Sequence, residues 1–309
     1  MKANLHGHLL AGFDHWWKKQ FGIEHGNLAK FVTDRCVKKG LEIYAITNDF
    51  PPEFQGDGKS RFDRVFNYAI ALPLPYRVEK LEGNAFVIEK KKKRVTFLDG
   101  QSIDVMDRDI GGVEREYELL TFGTHDIPDG LSFAETSRIL KDKGLLGIAE
   151  HPFAEGHHGP MSEESLLRLC NQGIIDAVEH NGKIAVPDFL CSLPVEEFKG
   201  FARYHNEHLD KFAEYHAIPM IANDDSDGLT HIGTAYTEFP YDKIRMNSGE
   251  TIVEDLNTLI RDNNFETHRG YLNVFSFMRY AAGILTIKDK KLGLREKFLR
   301  KYYPEELVI

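Results

Sequence analysis

Short apolar runs alternate with amphipathic segments along this chain. The apolar runs predict seven strands, at residues 3–5, 42–47, 77–79, 118–122, 145–149, 174–179 and 219–223. The segments between several of these runs repeat apolar residues every three or four positions, which predicts helices at 28–39, 132–143, 162–170 and 195–216. This β–α alternation predicts an α/β fold with a mainly parallel sheet.

Two of the predicted helices carry boundary signals in the sequence. Gly40 follows the first helix, where a glycine commonly ends a helix in a left-handed conformation. Ser132 and Glu135 have the spacing of a capping box and mark the start of the second helix.

Composition narrows the class of protein. The chain has 309 residues without a linker-like stretch or an internal repeat, which favours one domain of barrel size. No run of about 18 apolar residues is present, so we expect no membrane-spanning segment and no membrane partner. The three cysteines are scattered and predict neither a disulfide framework nor a zinc–thiolate site. With no signal-peptide pattern before His6, these features lead us to expect a cytoplasmic protein.

Charge gives a weaker constraint on partners. The formal net charge of −9 disfavours broad, sequence-independent binding to nucleic-acid backbones. One basic run, Lys90–Arg94, lies between two β-like stretches, and we interpret it as a solvated hairpin tip.

Potential metal ligands follow or end each predicted strand. In chain order they are His6 and His8, Asp49, Glu79, His125, Glu150 and His151, Glu179 to Asn181, and Asn223 to Asp227. Imidazole and carboxylate groups bind divalent transition metals, and the carboxyl ends of parallel strands meet at one edge of a barrel. The recurrence of these residues at matching places predicts a metal centre at that edge.

The ordered set of motifs resembles the polymerase and histidinol phosphatase (PHP) family of metal-dependent phosphoesterases. Asn4-Leu5-His6-Gly7-His8-Leu9 is similar to the family's D-L-H-x-H-T motif, and Ile46-Thr47-Asn48-Asp49 is similar to I-T-D-H. Glu150-His151-Pro152 resembles A-H-P, residues 173–181 resemble G-x-D-x-I-E-x-x-N, and residues 222–227 resemble the A-N-S-D-A-H ending.

The resemblance implies a fold and a division of the chain. The fold would be a distorted (β/α)7 TIM-like barrel of the PHP type. Residues 1–235 would form the barrel with the metal site, and residues 236–309 would be a C-terminal helical part that completes or caps the same domain.

The resemblance also implies two or three divalent ions and their ligands. The first ion would take His6, His8, Glu79 and Asp225, with Asp224 as an alternative register. The second would take Glu79, His125 and His151, with Glu79 bridging the two. The third would take Asp14 or its neighbour His15, together with Asp49 and Asp227.

Carboxylates stand at the third site where the family usually has histidines. Under one interpretation the site is retained and prefers harder ions, so that Mg²⁺ becomes possible beside the Mn, Zn or Fe expected elsewhere. Under the other, the third site has been lost.

We therefore expect a metal-dependent phosphoesterase that hydrolyses a phosphate ester with a metal-bridged hydroxide. Asp49 and Asp227, or a water, are the candidates for protonating the leaving group. A phosphorylated small molecule or an oligonucleotide end would be the substrate, and the oligomeric state is open. The alternatives are a hydrolase of a C–N or C–O bond and a non-catalytic, metal-stabilised module.

Overall fold

The computed structural model describes residues 1–8, 27–48, 60–108, 114–154, 160–184, 186, 202–226 and 231–271. The strands in these ranges are β1 Lys2–Asn4, β2 Ile43–Asn48, β3 Tyr76–Leu81, β4 Ala85–Lys90, β5 Lys93–Arg108, β6 Glu114–Phe122, β7 Leu131–Ser132, β8 Ile148–Ala149, β9 Ala177–Asn181, β10 Met220–Asn223, β11 Tyr236–Glu238 and β12 Glu266–His268. The α-helices are α1 Leu28–Lys39, α2 Arg61–Ala69, α3 Phe133–Asp142, α4 Glu163–Asn171, α5 Arg203–His216 and α6 Gly249–Arg261.

Seven strands form the wall of a nearly closed barrel in the order of the sequence. They are β1, β2, β5, β6, β8, β9 and β10, each hydrogen-bonded to the next. The hairpin of β3 and β4 lies beside β5, and β11 and β12 extend the sheet beyond β1. The α/β class and the barrel shape expected from the sequence are thus confirmed.

The barrel closes at a seam between β1 and β10 that is held by side-chain amides. The backbone N–H of Leu5 donates to Asn223 Oδ1 at 2.7 Å, and the N–H of Asp224 donates to Asn4 Oδ1 at 3.0 Å. The sheet of the described residues has no β1–β10 backbone ladder. These two bonds therefore bring the ends of β1 and β10 side by side.

Strand β6 runs against its neighbours. It is antiparallel to both β5 and β8, whereas β1, β2 and β5, and likewise β8, β9 and β10, are parallel to one another. The beginning of β6 therefore lies at the edge of the barrel where the neighbouring strands β8 to β10 end. The sequence-based expectation that every strand end faces the same edge is wrong at β6.

Helices cover the outside of the sheet and enclose two hydrophobic clusters. Helix α1 buries Ala29, Val32 and Cys36 and ends at Gly40, whose φ is 74°. Helices α3 to α6 pack on the larger cluster, and α1 and α2 pack on the smaller one. In the described ranges, no helix is long and apolar enough to cross a membrane.

Several sequence-based boundaries are confirmed and one is corrected. Helix α1 matches its predicted range, and Ser132 and Glu135 form the expected capping box at α3. The predicted third strand at 77–79 is part of β3, which lies outside the barrel wall, and β5 is the third wall strand. Helix α5 begins at Arg203, and residues 195–201 of the predicted helix lie outside the described ranges. From the predicted C-terminal part, residues 236–271 supply β11, β12 and α6, and residues 272–309 lie outside the described ranges.

Candidate metal centre

Two groups of donor side chains meet at the edge where β8, β9 and β10 end. His6, His8 and Glu150 form one group, and Glu118, Glu150 and His151 form the other. Within each group, one ligand atom from every residue lies within 4.8 Å of the others. Glu150 belongs to both groups, so one carboxylate connects two candidate cation positions.

The first group is built around the two histidines that follow β1. His6 Nε2 lies 2.7 Å from His8 Nε2 and 3.5 Å from Glu150 Oε2. Asp225, which follows β10, places Oδ1 3.2 Å from His8 Nε2 and 3.7 Å from His6 Nε2. Two imidazole nitrogens and two carboxylates thus point at a common position, which is the donor set that Zn²⁺, Mn²⁺ and Fe²⁺ accept.

The second group depends on the reversed strand β6. Its residue Glu118 sits beside the end of β8, and the Glu150 N–H donates to the Glu118 carbonyl oxygen at 3.2 Å. His151 Nε2 lies 3.4 Å from Glu118 Oε2 and 4.0 Å from Glu150 Oε2. The side chains of His151 and Glu118 are partly exposed, so this position faces solvent.

Backbone strain occurs at two of the converging residues. His151 has φ of 24° and Asp225 has φ of 44°, in the left-handed region that non-glycine residues rarely occupy. Such strain costs of order 1–3 kcal/mol per residue and is found where a side chain has to be aimed at a functional site. Here it turns His151 and Asp225 toward the cluster.

Gly7 is required by close packing rather than by its backbone angles. A Cβ at this position would lie 2.0 Å from the hydroxyl oxygen of Tyr44. The Tyr44 hydroxyl is itself hydrogen-bonded to Ser226 Oγ, beyond β10. Tyr44 therefore fixes the path of the chain between His6 and His8.

Glu179 fixes the orientation of the His6 ring. Its Oε1 lies 2.7 Å from His6 Nδ1 and also accepts from Asn223 Nδ2 at 3.0 Å. Asn181 Nδ2 lies 3.4 Å from the other carboxylate oxygen. In the tautomer with the proton on Nδ1, His6 donates to this carboxylate and its Nε2 is the acceptor that can bind a cation.

Asp225 is held from the opposite side. Asn181 Nδ2 donates to its Oδ2 at 2.9 Å, and Lys183 Nζ lies 3.3 Å from the same oxygen. Its neighbour Asp224 is turned away from the cluster, because its Oδ2 accepts the Gly233 N–H. In the structure, Asp225 rather than Asp224 faces the histidines.

Burial and mutual charge shift the pKa values in the centre. Burial raises the pKa of Glu150 well above its ordinary value, and the nearby carboxylates of Glu118 and Glu179 add to the rise. Burial of His6 opposes its protonation, but Glu179 and Glu150 outweigh this effect and hold its pKa well above the ordinary value. Burial likewise disfavours ionised Asp225, yet Lys183 and His6 hold its pKa well below the ordinary value.

A divalent cation fits these residues. The Glu150 side chain is buried, and its Oε1 has no hydrogen-bond partner among the described residues. A buried carboxylate without a donor is costly, and a bound cation removes that cost. The converging imidazoles, the shared carboxylate and the unpartnered oxygen together have the chemistry of a divalent-cation site.

The structure does not bring two predicted ligands to the centre. Glu79 is on β3, where its carboxylate is 65% exposed and pairs with Arg94 at 3.3 Å. It cannot be the bridging ligand, because β3 is outside the barrel wall. His125 instead pairs with Asp99. It follows the carboxyl end of β6 and belongs to neither donor group.

Some of the other predicted metal ligands lie within the described residues and the rest lie outside them. His6, His8, His151 and Asp225 lie together as expected. Asp14, Asp49 and Asp227 lie outside the described residues, so the third ion remains a prediction. Sequence reasoning missed Glu118 as a ligand and did not give Glu150 its central place. The sequence signal for Glu150 was its position directly before His151 at a strand end.

Comparisons with known proteins give resemblance at the level of structure. No protein-family model matches the sequence, and no curated protein matches it significantly. PsfC from Pseudomonas syringae is similar over 84% of this chain and 96% of its own, with 13% identity and a TM-score of 0.49. The lesion-specific endonuclease EndoQ from Pyrococcus furiosus is similar over 86% of this chain and 57% of its own, with 13% identity and a TM-score of 0.43.

A third structure is a protein from Bifidobacterium adolescentis assigned as a metal-dependent phosphoesterase. It is similar over 85% of this chain and 96% of its own, with 14% identity and a TM-score of 0.41. Identities this low show a resemblance of fold alone.

Proposed function

We propose that this protein is a metal-dependent hydrolase of phosphate esters. In this proposal His6, His8 and Asp225 hold one divalent cation, Glu118 and His151 hold a second, and Glu150 is shared. The observation that supports it most directly is the buried Glu150 carboxylate, which belongs to both donor groups and has an oxygen without a hydrogen-bond partner in the part of the chain that the structure describes. Mn²⁺, Zn²⁺ and Fe²⁺ match the mixed imidazole and carboxylate donors.

When bound, a pair of divalent cations supplies an activated water and neutralises charge on a phosphoryl group during in-line displacement. The protein's own residues prepare the site for this. Glu179 holds the His6 ring so that Nε2 faces the cluster, and Asn181 and Lys183 hold Asp225. His151, on a strained backbone, presents its Nε2 at the solvent-facing side, where a substrate can enter.

Cationic side chains at the margin of the cluster support an anionic substrate. Lys183 Nζ lies within 3.4 Å of both oxygens of Asp225. Arg61, at the start of α2, places a guanidinium nitrogen 3.4 Å from His8 Nδ1 and 3.1 Å from the Thr47 carbonyl oxygen. Positive charge beside a carboxylate-rich centre favours a phosphate ester over a neutral amide. The expected substrates are a phosphorylated small molecule or an oligonucleotide end.

Metal analysis combined with turnover tests the proposal. The purified protein should contain about two divalent ions per chain and should hydrolyse aryl phosphate monoesters or diesters when supplied with Mn²⁺. Glu150→Gln removes the shared charge and should abolish both stoichiometric metal and turnover. Glu163→Gln is the matched control, because Glu163 also pairs with a histidine, His208, but at an exposed position on α4.

Three results would contradict the proposal in different ways. Stoichiometric metal without turnover of any phosphate ester would indicate a metal-stabilised module. Turnover of amide or ester substrates in place of phosphate esters would indicate a different hydrolase. Activity and metal content that survive in Glu150→Gln would show that the centre is elsewhere.

A further inference from the structure

A basic turn and an apolar loop lie together at the edge of the barrel opposite the metal centre. Strands β3 and β5 both begin at this edge, because Tyr76 pairs with Lys90 and Lys90 pairs with Lys93. Residues 70–75 precede β3, and residues 90–94 form the β4–β5 turn with its flanks. We call these two segments the basic–apolar edge.

The loop of this edge exposes aliphatic side chains. Leu74 is 87% exposed and Ile70 is 60% exposed, which places them among the few large apolar residues that the structure leaves open to solvent. Leu74 lies within a turn closed by a hydrogen bond from the Tyr76 N–H to the Pro73 carbonyl oxygen at 3.1 Å. The turn holds the Leu74 side chain outward beside the end of the β4–β5 hairpin.

The β4–β5 turn concentrates positive charge at a conformational cost. Lys91 and Lys92 have φ of 50° and 66°, positions at which Asn and Gly are the favoured residues of a two-residue hairpin. Lys90 pairs with Asp34 and Arg94 pairs with Glu79. In the part of the chain that the structure describes, no carboxylate is paired with Lys91 or Lys92.

We propose that, contrary to the sequence-based expectation of no membrane partner, the basic–apolar edge binds the surface of a bilayer that contains anionic phospholipid. Exposed lysines are attracted to the anionic headgroups, and protruding aliphatic side chains enter the boundary between headgroups and acyl chains. Because the protein as a whole carries a net charge of −9, a patch of the opposite charge also sets the orientation in which it approaches such a surface.

The composition of the edge favours lipid over nucleic acid. Aliphatic side chains at the tip add nothing to phosphate-backbone binding, and the aromatic side chain at this place, Tyr76, is buried and therefore cannot stack on a base. The edge also lies away from the candidate centre. Seven or eight residues of β5 separate Lys93 from the level of Asn48, which is roughly 25 Å at the rise of a strand. Attachment through this edge would leave the centre open to solvent.

Vesicle co-sedimentation of the full chain tests the proposal. The protein should sediment with vesicles of mixed phosphatidylserine and phosphatidylcholine, remain in solution with phosphatidylcholine alone, and be released by high salt. Lys91→Asn combined with Lys92→Gly keeps a favourable turn sequence and should weaken binding about 30-fold. The charge-matched control combines Lys211→Gln with Lys243→Gln, at exposed sites elsewhere, and should bind like the parent.

A second pair of variants separates lipid from other anions. Leu74→Ser should weaken vesicle binding several-fold, whereas Tyr215→Ser, at an equally exposed apolar residue on α5, should not. The absence of binding to anionic vesicles would overturn the proposal. Tight binding to duplex DNA that depends on the lysines but not on Leu74 would also overturn it and would identify a nucleic-acid surface.

Discussion

Replacing Glu179 with Gln should disturb the orientation of the His6 ring without removing a candidate metal ligand. The substitution keeps the size of the side chain and the acceptor for Asn223, but it removes the charge that faces His6 Nδ1 at 2.7 Å. His6 and Glu179 are both fully buried, so solvent does not screen their interaction. The His6 ring would keep a neutral acceptor at Nδ1 but lose the charged partner that favours a proton on Nδ1 and so leaves Nε2 for a cation.

Two estimates of the effect agree. A hydrogen bond to a charged group contributes about 1.5–3 kcal/mol net. Loss of the partner that orients a metal-bound histidine typically weakens metal affinity about 10–100-fold. This range corresponds to about 1.4–2.7 kcal/mol. We therefore expect Glu179→Gln to bind the cation at His6 about 10–100-fold more weakly.

Calorimetric titration of the metal-free protein with Mn²⁺ or Zn²⁺ measures this change directly. Glu163→Gln, which alters an exposed carboxylate–histidine pair, should leave the affinity as it is. Circular dichroism and thermal unfolding establish that the variant is folded. A folded Glu179→Gln protein with the metal affinity of the parent would refute the assigned role of Glu179.

The remaining predictions address the pKa values, a helix cap and the packing around Gly7. Burial raises the pKa of Asp99 to about 6, and the pKa of His125 is raised because it is hydrogen-bonded to Asp99. A group whose pKa is higher in the folded than in the unfolded state stabilises the fold at low pH. As the pH rises from about 4 to about 7, the free energy of unfolding of the parent, measured by denaturant titration, should therefore fall relative to that of Asp99→Asn. A difference in unfolding free energy between the two proteins that stays constant over this pH range would contradict the raised pKa values. Ser132→Ala should lower the free energy of unfolding by about 1 kcal/mol without altering metal binding, and an unchanged urea midpoint would count against the cap. Gly7→Ala should displace the segment against Tyr44 and weaken metal binding, whereas a titration like that of the parent would contradict the close contact.

The alternation of strands and helices followed from local patterns. Buried strands such as residues 43–48 begin with apolar runs and alternate with amphipathic helices, which favours a mainly parallel sheet covered by helices. Helix ends depend on nearby residues only, which explains why Gly40 and the Ser132 capping box were recognised.

The direction of β6 could not be predicted in this way. An apolar run has the same pattern whichever way the strand runs, and direction is set by pairing with strands that lie far away in sequence. The misplacement of His125 and the omission of Glu118 both follow from this point, because reversal brings the start of the predicted strand at 118–122, rather than its end, next to the end of β8. Glu79 was misassigned because the pattern of β3 does not show whether a strand belongs to the barrel wall or to an attached hairpin.

The seam between β1 and β10 gives the candidate centre a second importance. His6 and His8 lie on the β1 side of this seam and Asp225 lies on the β10 side. The chain segments that meet there are 218 residues apart. A cation shared by these side chains would add a link across a seam that hydrogen bonds of Asn4, Asn223 and Thr237 already bridge. Since such a ligand binds the closed barrel and not the open chain, the resistance of the protein to heat should rise with cation concentration. The candidate metal centre would then also stabilise the closed barrel.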